Sequence, residues 1–243
     1  MNDQSINTNY HAIFISGWQF KTTIFSDIAS QFNSFQLIEY FEIEDKTISF
    51  EQYTEQLYSQ LKLSKINKNI LIGWSLGGLF ALEIASKLKE KIDAVILINS
   101  SPFFSESKVN HWFGINQLEK EKFYFLFENN KTKLLRRFIN LVSYPVINKN
   151  ISNYISHESD AHWYLLLKFL FETDLREKLQ SLTIPVLFIL GTEDAILKIN
   201  KEQLVNLNVN IQIKKMQQAG HIPFITHQEL TVHIIKDFLD AAG

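Results

Sequence analysis

Short, almost unbroken apolar runs recur along this chain, separated by stretches in which apolar residues repeat with helical spacing. Positions 11–16 (H-A-I-F-I-S) and 35–41 (F-Q-L-I-E-Y-F) read as strands on either side of a helical pattern at 23–32. A second helical pattern at 50–63 leads to a strand at 69–74. Residues 76–89 then carry helix formers with polar positions toward the end, and 93–99 (D-A-V-I-L-I-N) is apolar again. Strands that are apolar on both sides of the pleat and alternate with helices predict a parallel sheet covered on both faces. After Ser101-Pro102 the rhythm breaks: 103–173 is rich in aromatic residues, helical in spacing and without a convincing strand. Alternation resumes with a strand at 184–190, a short helix at 201–207, a strand at 209–216 and a closing helix at 228–241. The expectation is one α/β domain over 1–243 with a helical insertion at about 103–173, whose position suits a lid.

Composition narrows the function classes. A chain of 243 residues with 46% hydrophobic content can bury a large core. Its net charge of −2 gives no general electrostatic case for nucleic acid. Cysteine is absent, which excludes disulfides, thiolate catalysis and cysteine-ligated zinc, and a reducing cytoplasm is the expected compartment. The first ten residues are polar and lack signal-peptide organisation, and no apolar run approaches the roughly 20 residues of a membrane span. The expectation is a soluble protein with no metal and no redox cofactor.

The chemistry concentrates at Gly73-Trp74-Ser75-Leu76-Gly77, a G-x-S-x-G pattern between an expected strand and an expected helix. That is the context of a nucleophile elbow, in which a strained serine projects its hydroxyl above the sheet. A serine hydroxyl is a weak nucleophile at neutral pH, so it needs a base, and the base needs an orienting acid. With the elbow these follow in the order serine, acid, histidine, each after a later strand. Gly191-Thr192-Glu193-Asp194 follows one such strand and Gly220-His221 the next. Among seven histidines only His221 combines that order and position: His11 begins a strand, His111, His157 and His162 lie in the insertion, and His227 and His233 lie at the last helix. Glu193 and Asp194 are comparable as the acid on these grounds. Donors for a developing oxyanion are expected from the backbone N–H of Leu76 and, in the Ser16-Gly17-Trp18 loop, of Trp18.

With these residues the chain resembles the α/β-hydrolases, and within them the pimeloyl-acyl-carrier protein methyl ester esterases of biotin synthesis. The resemblance runs through S-G-W at 16–18, G-W-S-L-G-G at 73–78, S-S-P-F-F-S at 100–105, R-R-F-I-N-L at 136–141, D-L-R-E-K-L-Q at 174–180 and G-H-I-P-F-I-T-H at 220–227. It implies an α/β-hydrolase fold and a Ser75, Asp194, His221 triad, choosing Asp194 over Glu193. It also implies a substrate site touching Trp18, Leu76 and Phe138, and an acyl-carrier protein as the bearer of the acyl group. Two departures stand out. The family usually has histidine where this chain has Ser16, and only about ten residues precede the first strand, so a shortened, mostly parallel sheet of about six strands is expected. A narrow apolar tunnel for the acyl chain would draw on the aromatics of the insertion.

An acidic carrier needs a basic partner surface. Lys133, Arg136 and Arg137 are spaced i, i+3 and i+4, so on a helix they share a broad face suited to carboxylates or a phosphate, which Lys131 would extend. A solvated helix face explains the same charges, because Glu119, Glu121 and Glu128 lie nearby. The leading expectation is a serine carboxylesterase acting on this methyl ester. A broad short-acyl esterase or thioesterase would use the same three residues, since they report the reaction type and say little about the leaving group. A non-catalytic binding protein on the same fold is the alternative of a different class.

Overall fold

The computed structural model describes residues 9–42, 47–109, 111–146 and 150–242. Six strands form one sheet: β1 (Tyr10–Ile15), β2 (Ser34–Ile38), β3 (Lys68–Trp74), β4 (Ala94–Ile98), β5 (Val186–Gly191) and β6 (Ile211–Met216). Their order is β2-β1-β3-β4-β5-β6, and every pairing is parallel. The helices are α1 (Ser26–Ala29), α2 (Phe50–Tyr58), α3 (Leu76–Lys87), α4 (Gln117–Asn129), α5 (Lys131–Ser143), α6 (Asp160–Glu172), α7 (Arg176–Gln180), α8 (Lys201–Val205), α9 (Pro223–Thr226) and α10 (Gln228–Ala242).

Burial explains the sequence pattern. All residues of β1 and β4 are buried, as are nearly all of β3 and β5, whereas the edge strands β2 and β6 are only partly covered. Central parallel strands with helices on both faces have no solvent side, so they select Ile, Leu, Val and Phe at every position. Helix α3 is buried from Leu76 to Ala85, including Glu83, whose carboxylate meets Lys178 of α7 at 2.5 Å. A buried carboxylate is tolerated when it is paired in this way.

Several elements are shorter than their patterns. The stretch expected as a helix at 23–32 is a 3-10 turn, Thr22–Phe25, followed by the single turn α1. Here the Ser26 and Ser30 hydroxyls bond the carbonyls of Thr23 and Asp27 at 2.7 and 2.8 Å, the local competition that keeps serine out of helix interiors. Strand β2 ends at Ile38 instead of 41, because Glu39 turns to receive the Thr22 N–H at 2.9 Å and Tyr40 turns toward the loop after β1. Helix α2 begins with a capping box at Ser49 and Gln52 and stops at Tyr58.

Between β4 and α7 the chain forms α4, α5 and α6 with a 3-10 turn at Ile151–Tyr154. Their undersides join the loop after β1: the Trp18 indole N–H donates to the Trp163 carbonyl at 2.9 Å, and its ring lies 5.0 Å from Phe138 and 6.4 Å from Phe127. No helix among the described residues is long and apolar enough to cross a membrane.

Candidate active site

The order β2-β1-β3 marks the point where the chain reverses direction across the sheet, and open α/β sheets bind ligands beyond the carboxyl ends of the strands there. Trp18 follows β1 and Ser75 follows β3, so the two flank this crevice. Ser75 sits at φ 53° and ψ −122°, a strained conformation for a residue with a Cβ. Two features hold it. A Cβ at Gly77 would strike the Ile15 and Ser16 carbonyls, so only glycine lets the elbow settle against the end of β1. The Ser100 hydroxyl donates to the Ser75 carbonyl at 2.7 Å. Ser75 is 5% exposed, and its Oγ has no hydrogen-bond partner among the described residues.

Asp194 and His221, which arrive from different loops, meet at 2.7 Å through Oδ2 and Nδ1. The other carboxylate oxygen of Asp194 accepts the N–H groups of Ile196 at 2.8 Å and Leu197 at 3.0 Å, which fixes its plane. Glu193 is exposed and makes no such contact with His221, so the geometry separates two acids that sequence reasoning leaves equal. The His221 carbonyl accepts the Trp74 indole N–H at 2.8 Å, and the two rings lie 5.5 Å apart, placing the imidazole against the residue preceding Ser75. His221 is fully buried, and its Nε2 has no hydrogen-bond partner among the described residues. An imidazole whose Nδ1–H is held by a carboxylate presents a basic Nε2, as a serine nucleophile requires.

The backbone N–H groups of Trp18 and Leu76 donate to no acceptor among the described residues. Trp18 lies in a tight turn closed by Phe20 N–H on the Gly17 carbonyl at 3.2 Å, with Gln19 at φ 62°. Ser16 ties this turn from inside: its hydroxyl donates to the Phe20 carbonyl at 2.6 Å and receives the Thr22 hydroxyl at 3.1 Å. The Tyr40 hydroxyl donates to the Ser16 carbonyl at 2.5 Å. Burial above all, reinforced by Tyr53, Glu39 and Glu158, pushes the Tyr40 phenol well above its ordinary value, so it remains a donor.

The other expected residues divide. Phe138 is buried and packs on Trp18 and Phe20, at 5.0 and 6.0 Å between rings. Lys133 and Arg136 are exposed on α5, their side chains without a partner among the described residues. Arg137 bonds Glu119 of α4 at 2.9 Å, while Lys131 pairs with Asp160 and lies over the Phe127 ring. Among the described residues there is no cluster of three or more His, Asp or Glu able to hold a metal. Ser100 is absent from the sequence-derived candidates; its signal was the S-S-P following a strand, whose hydroxyl partner lies 25 positions away.

His162 belongs to the insertion's core: it is buried against Tyr53 and Trp163, and neither ring nitrogen has a partner among the described residues. Burial lowers its pKa to about 4, with Glu42 opposing. An unfolded histidine takes up a proton below about 6.5. The stabilisation is therefore complete above that pH and is lost as pH falls toward about 4. Replacement by phenylalanine is expected to flatten this part of the pH dependence of the unfolding midpoint, measured by thermal denaturation.

Residues 29–228 match the family model of the alpha/beta hydrolase fold. A pimeloyl-acyl-carrier protein methyl ester esterase of Wigglesworthia glossinidia brevipalpis is 30% identical, with 93% of this chain and 92% of that protein covered. The chain belongs to this family of α/β-hydrolases. A protein of the same name from Legionella pneumophila strain Paris is 29% identical over 79% of this chain and 77% of its own. Among solved structures, an esterase from Exiguobacterium antarcticum superposes with a TM-score of 0.79 at 17% identity, covering 97% of this chain and 93% of that one, a likeness of fold.

Proposed function

We propose that the protein is a serine carboxylesterase that removes the methyl group from pimeloyl-acyl-carrier protein methyl ester in biotin synthesis. The observation that carries the reaction type is the buried Asp194–His221 pair, whose imidazole packs 5.5 Å from the ring of Trp74, the residue before the strained Ser75. The substrate follows from the family, whose relatives bear that activity in their names.

In the proposed reaction Nε2 of His221 takes the Ser75 proton as Oγ attacks the ester carbonyl. The N–H groups of Trp18 and Leu76 receive the developing oxyanion, and one such donor contributes about 2.7–4 kcal/mol to the transition state. Collapse breaks the bond to methoxide, which leaves as methanol with the proton from His221. Water, deprotonated by the same nitrogen, then attacks the acyl-serine and releases the free carboxylate and Ser75.

Trp18, Leu76 and Phe138 supply apolar surface at the reacting end. The acyl chain would lodge under the lid formed by the insertion, where the rings of Phe138, Phe127 and Trp163 lie 5.0, 6.4 and 6.4 Å from that of Trp18. The carrier would dock on α5, where the side chains of Lys133 and Arg136 have no partner among the described residues; Arg137 joins them by exchanging Glu119 for a carboxylate or phosphate of the carrier. A cytoplasmic site of action suits such a substrate.

Comparing methyl pimeloyl-carrier protein with the unattached methyl ester and a pimeloyl thioester tests the reading. Cleavage of the carrier-bound methyl ester is expected, and cleavage of the thioester alone would overturn it. The double substitution Lys133→Glu, Arg136→Glu is expected to raise KM for the carrier-bound ester by about tenfold and to leave small esters unaffected. An equal loss on both substrates would place the effect on the lid's packing instead of on the carrier.

A further inference from the structure

Asn99, immediately after β4, is 1% exposed and has φ 42°, a left-handed conformation that asparagine tolerates better than most residues. Its side-chain amide spans two loops. Oδ1 accepts the Gly191 N–H at 2.8 Å, at the start of the loop that carries Asp194. Nδ2 donates to the carbonyl of Gly220 at 2.7 Å, the residue before His221. The partners are 92 and 121 positions away, so neither bond serves a local turn. The two loops are in backbone contact at this point, since a Cβ on Gly191 would strike the carbonyls of Ala219 and Gly220. They are joined from the β6 side by Thr192 N–H to Met216 and Glu193 N–H to Ala219, at 3.0 and 2.9 Å. Asn99 supplies the tie from the β4 side, and the next residue, Ser100, holds the Ser75 carbonyl.

We propose that Asn99 is a positioning residue that sets the relation of Asp194 to His221 through Gly191 and Gly220, a role that rests on the triad reading above. It touches no reacting atom. Its amide is suited to the task because one group supplies both the acceptor that the Gly191 N–H requires and the donor that the Gly220 carbonyl requires. A carboxylate at the same place can only accept, which leaves the buried Gly220 carbonyl short of its donor.

Asn99→Gly tests this directly, because glycine accepts the left-handed backbone and removes the amide. On a small methyl ester, kcat is expected to fall about ten- to a hundredfold with KM within about twofold, as for a displaced catalytic group whose binding surface is intact. The low-field proton resonance of the His221 Nδ1–H bonded to Asp194 should broaden or vanish in the folded variant. Asn99→Asp, which keeps the acceptor for Gly191 and sets a carboxylate against the Gly220 carbonyl, should lose at least as much. Asn208→Gly serves as control: buried Asn208 bonds the carbonyls of Leu179 and Leu182, away from the catalytic loops, so its loss should lower the melting temperature and leave kcat unchanged. If Ser75→Ala is inactive while folded Asn99→Gly and Asn99→Asp keep kcat and the resonance, the positioning role is overturned and the triad stands. If Ser75→Ala stays active, the triad reading itself fails.

Discussion

Ser75→Ala is expected to lower kcat on a short-chain aryl ester by about five to six orders of magnitude while leaving the fold intact. The substitution removes one atom, Oγ, which bonds nothing among the described residues and therefore leaves no buried group unpaired. The strained backbone at φ 53° remains, because the forces that hold it lie elsewhere: in Gly77 against the end of β1, and in the Ser100 hydroxyl on the carbonyl of residue 75. The unfolding midpoint should stay level or rise slightly, since a buried hydroxyl that makes no hydrogen bond contributes little to stability. An inactive protein with an unchanged melting curve assigns the nucleophile. Full activity with the same melting curve would remove Ser75 from the mechanism and, with it, the purpose of the elbow.

What could be read from the sequence follows from the range over which each feature is encoded. The central strands were legible because a strand buried on both faces leaves its mark at every position, as in I-L-I at 70–72 and A-V-I-L-I at 94–98. The elbow was legible because strand, glycines, serine and helix are contiguous. The segment 23–32 was misread as one helix because Ser26 and Ser30 spend their hydroxyls on nearby carbonyls, a competition that apolar spacing does not register. The choice between Glu193 and Asp194 needed the family pattern, since adjacent acids in a loop differ in direction and not in type. Asn99 and Ser100 act across 25 to 121 positions, and no local pattern announces that distance. The basic face of α5 was half legible: spacing put Lys133, Arg136 and Arg137 together, but the capture of Arg137 by Glu119 depends on how α4 lies against α5.

The two adjacent acids allow a second large effect to be predicted with an internal control. Asp194→Asn is expected to lower kcat by about 10⁴-fold, whereas Glu193→Gln should leave it within about twofold. Asparagine is nearly isosteric, and its carbonyl oxygen can still accept the Ile196 and Leu197 N–H groups that fix the loop at 2.8 and 3.0 Å. Its NH₂ then faces His221 Nδ1 in place of the carboxylate oxygen at 2.7 Å. A donor there obliges Nδ1 to become the acceptor, so the proton moves to Nε2, the atom proposed to take the proton of Ser75. The base is thus present in the wrong tautomer, and the imidazolium formed during attack has lost its anionic support. Asp194→Ala removes the acceptor for both N–H groups as well, so it should add a lower melting temperature to the loss of activity. Measured together, kcat and melting curves for the three variants separate the orienting of His221 from the holding of the loop: both singled-out effects belong to Asp194, and exposed Glu193 shares in neither.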